Sequence, residues 1–204
     1  IGLALYPLDS MVIFPLMILG GIIGGILWAM IPAILKIRFN TNEILVSLML
    51  VYVAEQILAL ASVGFLRNPE GLGFPGSRDL SKYPSAANPE LIANSGIHMG
   101  VIFSIIAVII LTYFLIYHRL GFQIKLLGQA PKASKFSGVN SNYIIIFCLG
   151  LSGGLAGVAG MFELTGPAGL INIDFNVGYG FTAIIVAFLG RLHPIGILFA
   201  GLLM

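Results

Sequence analysis

YIIIFCLGLSGGLAGVAGMF, residues 143–162, contains no Asp, Glu, Lys or Arg over twenty positions. A helix needs about 20 mostly apolar residues to cross the hydrocarbon layer of a bilayer, and this stretch supplies them. It is also unusually rich in small residues: Gly150, Gly153, Gly154, Ala156, Gly157, Ala159 and Gly160. Apolar helices gain little by hiding from lipid, so they associate where small residues let two backbones approach. The stretch therefore reads either as a tightly packed helix within a membrane bundle or as a lone dimerisation helix.

The rest of the chain repeats the first property. Residues 11–35 and 97–117 are also free of charged side chains, and residues 44–66 are interrupted only by Glu55 and Gln56. Residues 175–203 are long and apolar but carry Arg191, His193 and Pro194, and are expected to be broken. At least five membrane elements follow. The composition agrees: of 204 residues, 58% are hydrophobic and 9% charged, against about 25% charged in a soluble domain. That excludes a water-soluble globule, and a disordered chain would have far less to bury. The expected fold class is all-α, a polytopic transmembrane helix bundle.

A net charge of +2, with ten scattered Lys and Arg, offers no nucleic-acid surface. Cys148 is the single cysteine, so no internal disulfide forms, and its apolar surroundings suggest a buried inert thiol. Ile1 and Met204 both fall in mid-pattern. Residues 1–204 are accordingly expected to be one transmembrane domain within a longer chain, truncated at both ends, with no recognisable signal peptide.

Orientation comes from the loops. Residues 119–142 carry Arg119, Lys125, Lys132 and Lys135 with no acid, so this segment is expected in the cytoplasm. Residues 67–95 balance Arg67, Arg78 and Lys82 against Glu70, Asp79 and Glu90. They also hold the turn formers Pro69, Gly71, Gly73, Pro75, Pro84 and Pro89, which read as an irregular outer loop. The short link with Lys36 and Arg38 then falls inside. Gly20, Gly21, Gly24 and Gly25 form two overlapping Gly-x-x-x-Gly pairs in the first span; the packing candidates are Gly20, Gly24, Gly153, Gly157 and Gly160. Pro15 and Pro32 are read as kinks or caps.

Ionisable groups in hydrocarbon must face protein or water, which singles out Glu55, Glu163, Asp174 and Arg191. Glu55 either touches a water-filled path or makes a hydrogen bond between helices. Glu163 is a helix-end acid or a path residue, and Asp174 is expected to be solvated. From Gly178 onward, two apolar pieces of about ten residues flank Gly190-Arg191-Leu192-His193-Pro194. Broken helices at membrane depth line cavities in many transporters, although one Pro-kinked helix with Arg191 reaching for the interface would read the same. The candidates for a translocation path are Glu55, Glu163, Tyr179, Arg191 and His193. His98, His118 and His193 have no ligand-like spacing, so no metal site is expected. No His-Glu-x-x-His zinc site appears, and the chain is not read as an enzyme.

In GFQIKLLGQAPKASKFSGVNSNY, residues 121–143, Pro131 suits the first turn of a helix and Gly138 its end. The residues between, Lys132, Ala133, Ser134, Lys135, Phe136 and Ser137, make a two-turn stub too short to persist without a partner surface. An ordinary positive-inside loop is the plainer reading.

This region resembles the coupling region of permease subunits of ATP-binding-cassette importers, in the class serving branched-chain amino acids, ribose-like sugars and nucleosides. The Gly-rich helix from Ser152 to Gly160 directly after it belongs to the resemblance. Three more strings resemble the nucleoside and simple-sugar branch: Asn42-Glu43-Ile44 leading to Leu48-Met49-Leu50; Gly73-Phe74-Pro75-Gly76-Ser77; and Gly178-Tyr179-Gly180-Phe181 followed by Leu189-Gly190-Arg191-Leu192-His193-Pro194. Val51 stands where that family often has Asn, which removes one polar group from a pathway. The resemblance implies a coupling helix, Gly128, Gln129, Pro131 to Phe136 and Gly138, with Lys132 and Lys135 on the ATPase and Phe136 as apolar anchor. It implies a bacterial cytoplasmic (inner) membrane location, a second permease subunit, cytoplasmic ATPase subunits and an extracytoplasmic substrate-binding protein. The chain has no Gly-x-x-x-x-Gly-Lys-Ser/Thr loop, so ATP and Mg are expected on the partner ATPases and no cofactor on this chain. The expected function is import of a nucleoside or simple sugar by alternating access; the alternative is a stand-alone secondary transporter or channel, and a membrane-embedded enzyme would need Glu55, Glu163 and His193 to converge.

Overall fold

A computed structural model describes residues 12–64, 66–68, 76–80, 88, 90, 96–172 and 178–204. Asp174, Lys82, the string from Gly73 to Pro75 and the turn formers Pro69, Gly71, Pro84 and Pro89 lie outside the described residues. The described residues form eight helices: α1 (Ile13–Phe39), α2 (Glu43–Val63), α3 (Met99–Tyr117), α4 (Arg119–Gln129), α5 (Pro131–Phe136), α6 (Ser141–Thr165), α7 (Tyr179–Leu189) and α8 (Pro194–Leu203). Four of them, α1, α2, α3 and α6, are long and apolar enough to cross a membrane. The protein is an all-α, multi-pass membrane protein, and the four spans follow the long apolar runs of the sequence.

Each helix end has a local cause. The α1 helix runs through Pro32 and ends with Lys36 and Arg38 in its last turn, where cations complement the negative end of the helix dipole. Asn40 then turns the chain in the left-handed region (φ 50°), and the Asn42 side chain accepts a hydrogen bond from the Ile44 N–H to open α2. Lys36 Nζ donates to Glu43 Oε2 at 2.6 Å across this turn.

The chain divides into two compact units. The first comprises the described residues of Ile1–Gly100 and Ile145–Phe175. Its core is Ile13 and Met17 of α1 with Val158, Met161 and Phe162 of α6, and Leu80 from the segment between α2 and α3. The α1 and α6 helices run antiparallel along a glycine seam. A Cβ at Gly21 would stand 2.8 Å from the Gly157 carbonyl oxygen, and a Cβ at Gly153 would stand 2.5 Å from that of Gly25. The seam therefore lies one residue off the spacing that pairs Gly20 with Gly24: a Cβ at Gly24 or at Gly160 meets nothing within 4 Å. Beyond α6, Ser77 and Ile171 bond in both directions, the Ser77 N–H donating to the Ile171 carbonyl at 2.8 Å and the Ile171 N–H to Ser77 Oγ at 2.9 Å. The buried Asn88 donates its N–H to the Thr165 carbonyl and accepts from the Met99 N–H at the start of α3, joining two helix ends.

The second unit comprises Val101–Ile144 and the described residues of Asn176–Met204. Here α7 and α8 form a helical hairpin. A Cβ at Gly190 would lie 2.5 Å from the Ile197 nitrogen, and one at Gly201 would lie 3.8 Å from Val186. At 1.5 Å per residue, helices of 11 and 10 residues reach about 15 Å each, roughly half a hydrocarbon layer. The chain turns back on itself, so the break is a reversal and not a kink in one helix.

Candidate coupling and translocation site

The basic segment 119–142 is more structured than a loop with one stub. His118 caps α4, its Nδ1 accepting from the Leu120 N–H at 3.2 Å while its ring stacks on Phe114 at 4.9 Å. A Cβ at Gly121 would stand 2.6 Å from the Phe114 carbonyl oxygen, so the glycine lets α4 fold back against the last turns of α3. Sequence reading missed this helix; its signal was Leu120, Ile124 and Leu127 recurring on one face behind a capping residue.

Ala130 separates α4 from α5, and Pro131 occupies the first turn of α5, as the proline asymmetry of helices predicts. The end is a left-handed glycine: Gly138 has φ 72°, its N–H donates to the Lys135 carbonyl, and the Val139 N–H reaches back to Ser134. Ser134 is fully buried, and its hydroxyl donates to the Pro131 carbonyl at 3.1 Å. Its neighbours point the other way. Lys132, Ala133 and Lys135 are exposed, and Phe136 is 93% exposed. Gly128 and Gln129 at the end of α4 are exposed as well. An exposed aromatic ring on a six-residue helix, next to Lys135 and one turn from Lys132, is a surface made to be covered.

The path candidates fall in separate units. Glu55 lies mid-way along α2 and Glu163 in the last turn of α6, both half-buried, in the first unit. Tyr179, Arg191 and His193 belong to the second, all exposed, Tyr179 opening α7 and the other two at the hairpin tip. The tip is strained. Arg191 (φ 54°) and Leu192 (φ 56°) are consecutive non-glycine residues in the left-handed region, at about 1–2 kcal/mol each. The Arg191 N–H donates to Phe188 and the Leu192 N–H to Ala187, which closes α7 before Pro194 starts α8. Ile195, just past the tip, lines an apolar groove with Val108, Thr112, Tyr113 and Ile116 of α3. Those residues belong to the second half of α3, so the hairpin tip stands level with that half. Among the described residues, no three His, Cys, Asp or Glu side chains gather closely enough to hold a metal ion. Cys148 is half-buried within α6.

A family model described as branched-chain amino acid transport system / permease component matches residues 1–204. The glucose ABC transporter permease of Haloferax volcanii is 31% identical over 96% of this chain and 53% of its own length. The nucleoside ABC transporter permease of Lactococcus lactis is 29% identical over 99% of this chain and 57% of its own. The guanosine ABC transporter permease of Bacillus subtilis is 27% identical over 93% and 55%. The chain spans about half the length of the curated relatives it matches. No solved structure matches it.

Proposed function

The chain belongs to the branched-chain amino acid transport system / permease component family, and from that premise we propose that it is membrane-spanning permease of an ATP-binding-cassette importer for a nucleoside or simple sugar. The observation that carries this reading is α5, a short helix held by the buried Ser134, with Lys132, Lys135 and Phe136 exposed. Cytoplasmic ATPase subunits binding ATP and Mg would grip this stub. A rigid stub between α4 and α6 passes their closure to the spans on either side, and the spans then open alternately outward and inward. The solute would be delivered by an extracytoplasmic binding protein, and a second permease would complete the channel in the bacterial cytoplasmic membrane. Glu55, Glu163, Tyr179, Arg191 and His193 are assigned to the path. An uncharged, hydroxyl-bearing solute is supported by relatives named for glucose, nucleosides and guanosine.

The test is uptake by vesicles holding the full transporter, with radiolabelled guanosine and glucose offered in turn. The reading expects uptake of one of them that needs ATP on the ATPase side and survives collapse of ion gradients. Uptake driven by an ion gradient without ATPase would overturn it in favour of a secondary carrier.

A further inference from the structure

The outward face of the first two turns of α4 has no role in the coupling scheme. Arg119, Phe122 and Lys125 recur at helical spacing on this face and are all exposed, with Leu120, Ile124 and Leu127 half-buried behind them. Phe122, 65% exposed, thus stands between two cations. The position of the helix identifies what this face meets. The α3 span ends at Tyr117, and the Gly121 contact with Phe114 and Leu115 holds α4 against that end. Tyr113 and Tyr117, exposed and with rings 5.0 Å apart, mark the same level, since Tyr is enriched where hydrocarbon meets water. The groove along α3 towards Ile195 runs down to Tyr117, two residues before Arg119. Apolar groove, aromatic rim and cations follow one another in the order of a phospholipid's acyl chain, glycerol and phosphate.

We propose that the α4 face is a seat for anionic phospholipid of the membrane the chain spans, Arg119 and Lys125 engaging phosphate oxygens while Phe122 enters the acyl boundary. Basic groups next to an anionic leaflet attract it within about 10 Å, the screening length at moderate salt. Both cations lie on the first two turns of a helix that starts at the end of the span.

The experiment reconstitutes the full chain carrying Phe122→Trp in phosphatidylcholine vesicles with and without phosphatidylglycerol, with brominated lipid as quencher. The emission of the parent, whose single tryptophan is Trp28, is subtracted. The expected result is that brominated phosphatidylglycerol quenches the new tryptophan more strongly than brominated phosphatidylcholine, a difference that Arg119→Gln with Lys125→Gln removes. A second readout needs no tryptophan. The unaltered chain, purified in detergent, should retain phosphatidylglycerol over phosphatidylcholine, and the double Gln variant should retain roughly ten-fold less of it, two basic groups near an anionic surface being worth about that factor after screening. Equal quenching by both lipids together with equal retention would overturn the proposal. So would a tryptophan that lipid leaves untouched and added ATPase subunits shield, which would make the face a protein contact.

Discussion

Gly153→Ala should strip most of the folded protein from the membrane, while Gly24→Ala and Gly160→Ala leave it intact. The added Cβ at position 153 would press on Ala29 and stand 2.5 Å from the carbonyl oxygen of Gly25. Overpacking that a side chain can relieve costs about 1–3 kcal/mol; here a main-chain carbonyl of α1 is in the way, and α1 must move as a whole. A penalty at the upper end of that range, about 3 kcal/mol, lowers abundance of a marginally stable protein by roughly ten-fold or more. At Gly24 and Gly160 the new methyl group meets nothing within 4 Å, and alanine is the better helix former by about 1 kcal/mol. Thermal unfolding in detergent, read by size-exclusion chromatography, separates the two classes. Equal losses at positions 24 and 153 would mean that the α1–α6 seam is not the packing surface.

Replacing Lys132, Lys135 and Phe136 together by alanine should leave ATP hydrolysis by the assembled transporter running while uptake falls by about a hundred-fold. Burying a phenylalanine contributes about 1.5–3 kcal/mol, and each exposed lysine in an ion pair adds about 0.2–1 kcal/mol. Their loss therefore weakens docking by about 3 kcal/mol, which is two powers of ten in affinity. All three side chains are exposed, and alanine favours the helix, so α5 itself should persist. Unchanged uptake by the triple variant would mean that force enters the chain elsewhere.

The spans were readable because length and absence of charge are one-dimensional properties, and a bilayer tests for both. The hairpin break was readable in Gly190 and Pro194, which punctuate any helix, and the ends of α5 in Pro131 and Gly138. The register of the seam was not. Two overlapping glycine pairs in α1 offer two faces separated by one residue, and only the partner helix decides which of them packs. The α4 helix escaped notice because Gly121 and Gly128 look like loop formers, while Gly121 is in fact the point where α4 touches the end of α3. Asn88 and Ser77 escaped for a related reason: each bonds to backbone far away in sequence, and nothing in the local spacing announces the partner. Charge, depth and the helix break pick the path candidates one residue at a time and say nothing of which line a common cavity.

In the proposed arrangement α4 and α5 face the cytoplasm and α5 presents a stub to an ATPase. Ser137→Cys places a thiol at the exposed end of α5, while Cys148 stays inside a membrane span. Membrane-impermeant maleimide should label position 137 in inside-out vesicles, lose that access when the ATPase subunits are added, and fail to label it in intact cells. Labelling of Ser137→Cys from the outside of intact cells would contradict the account.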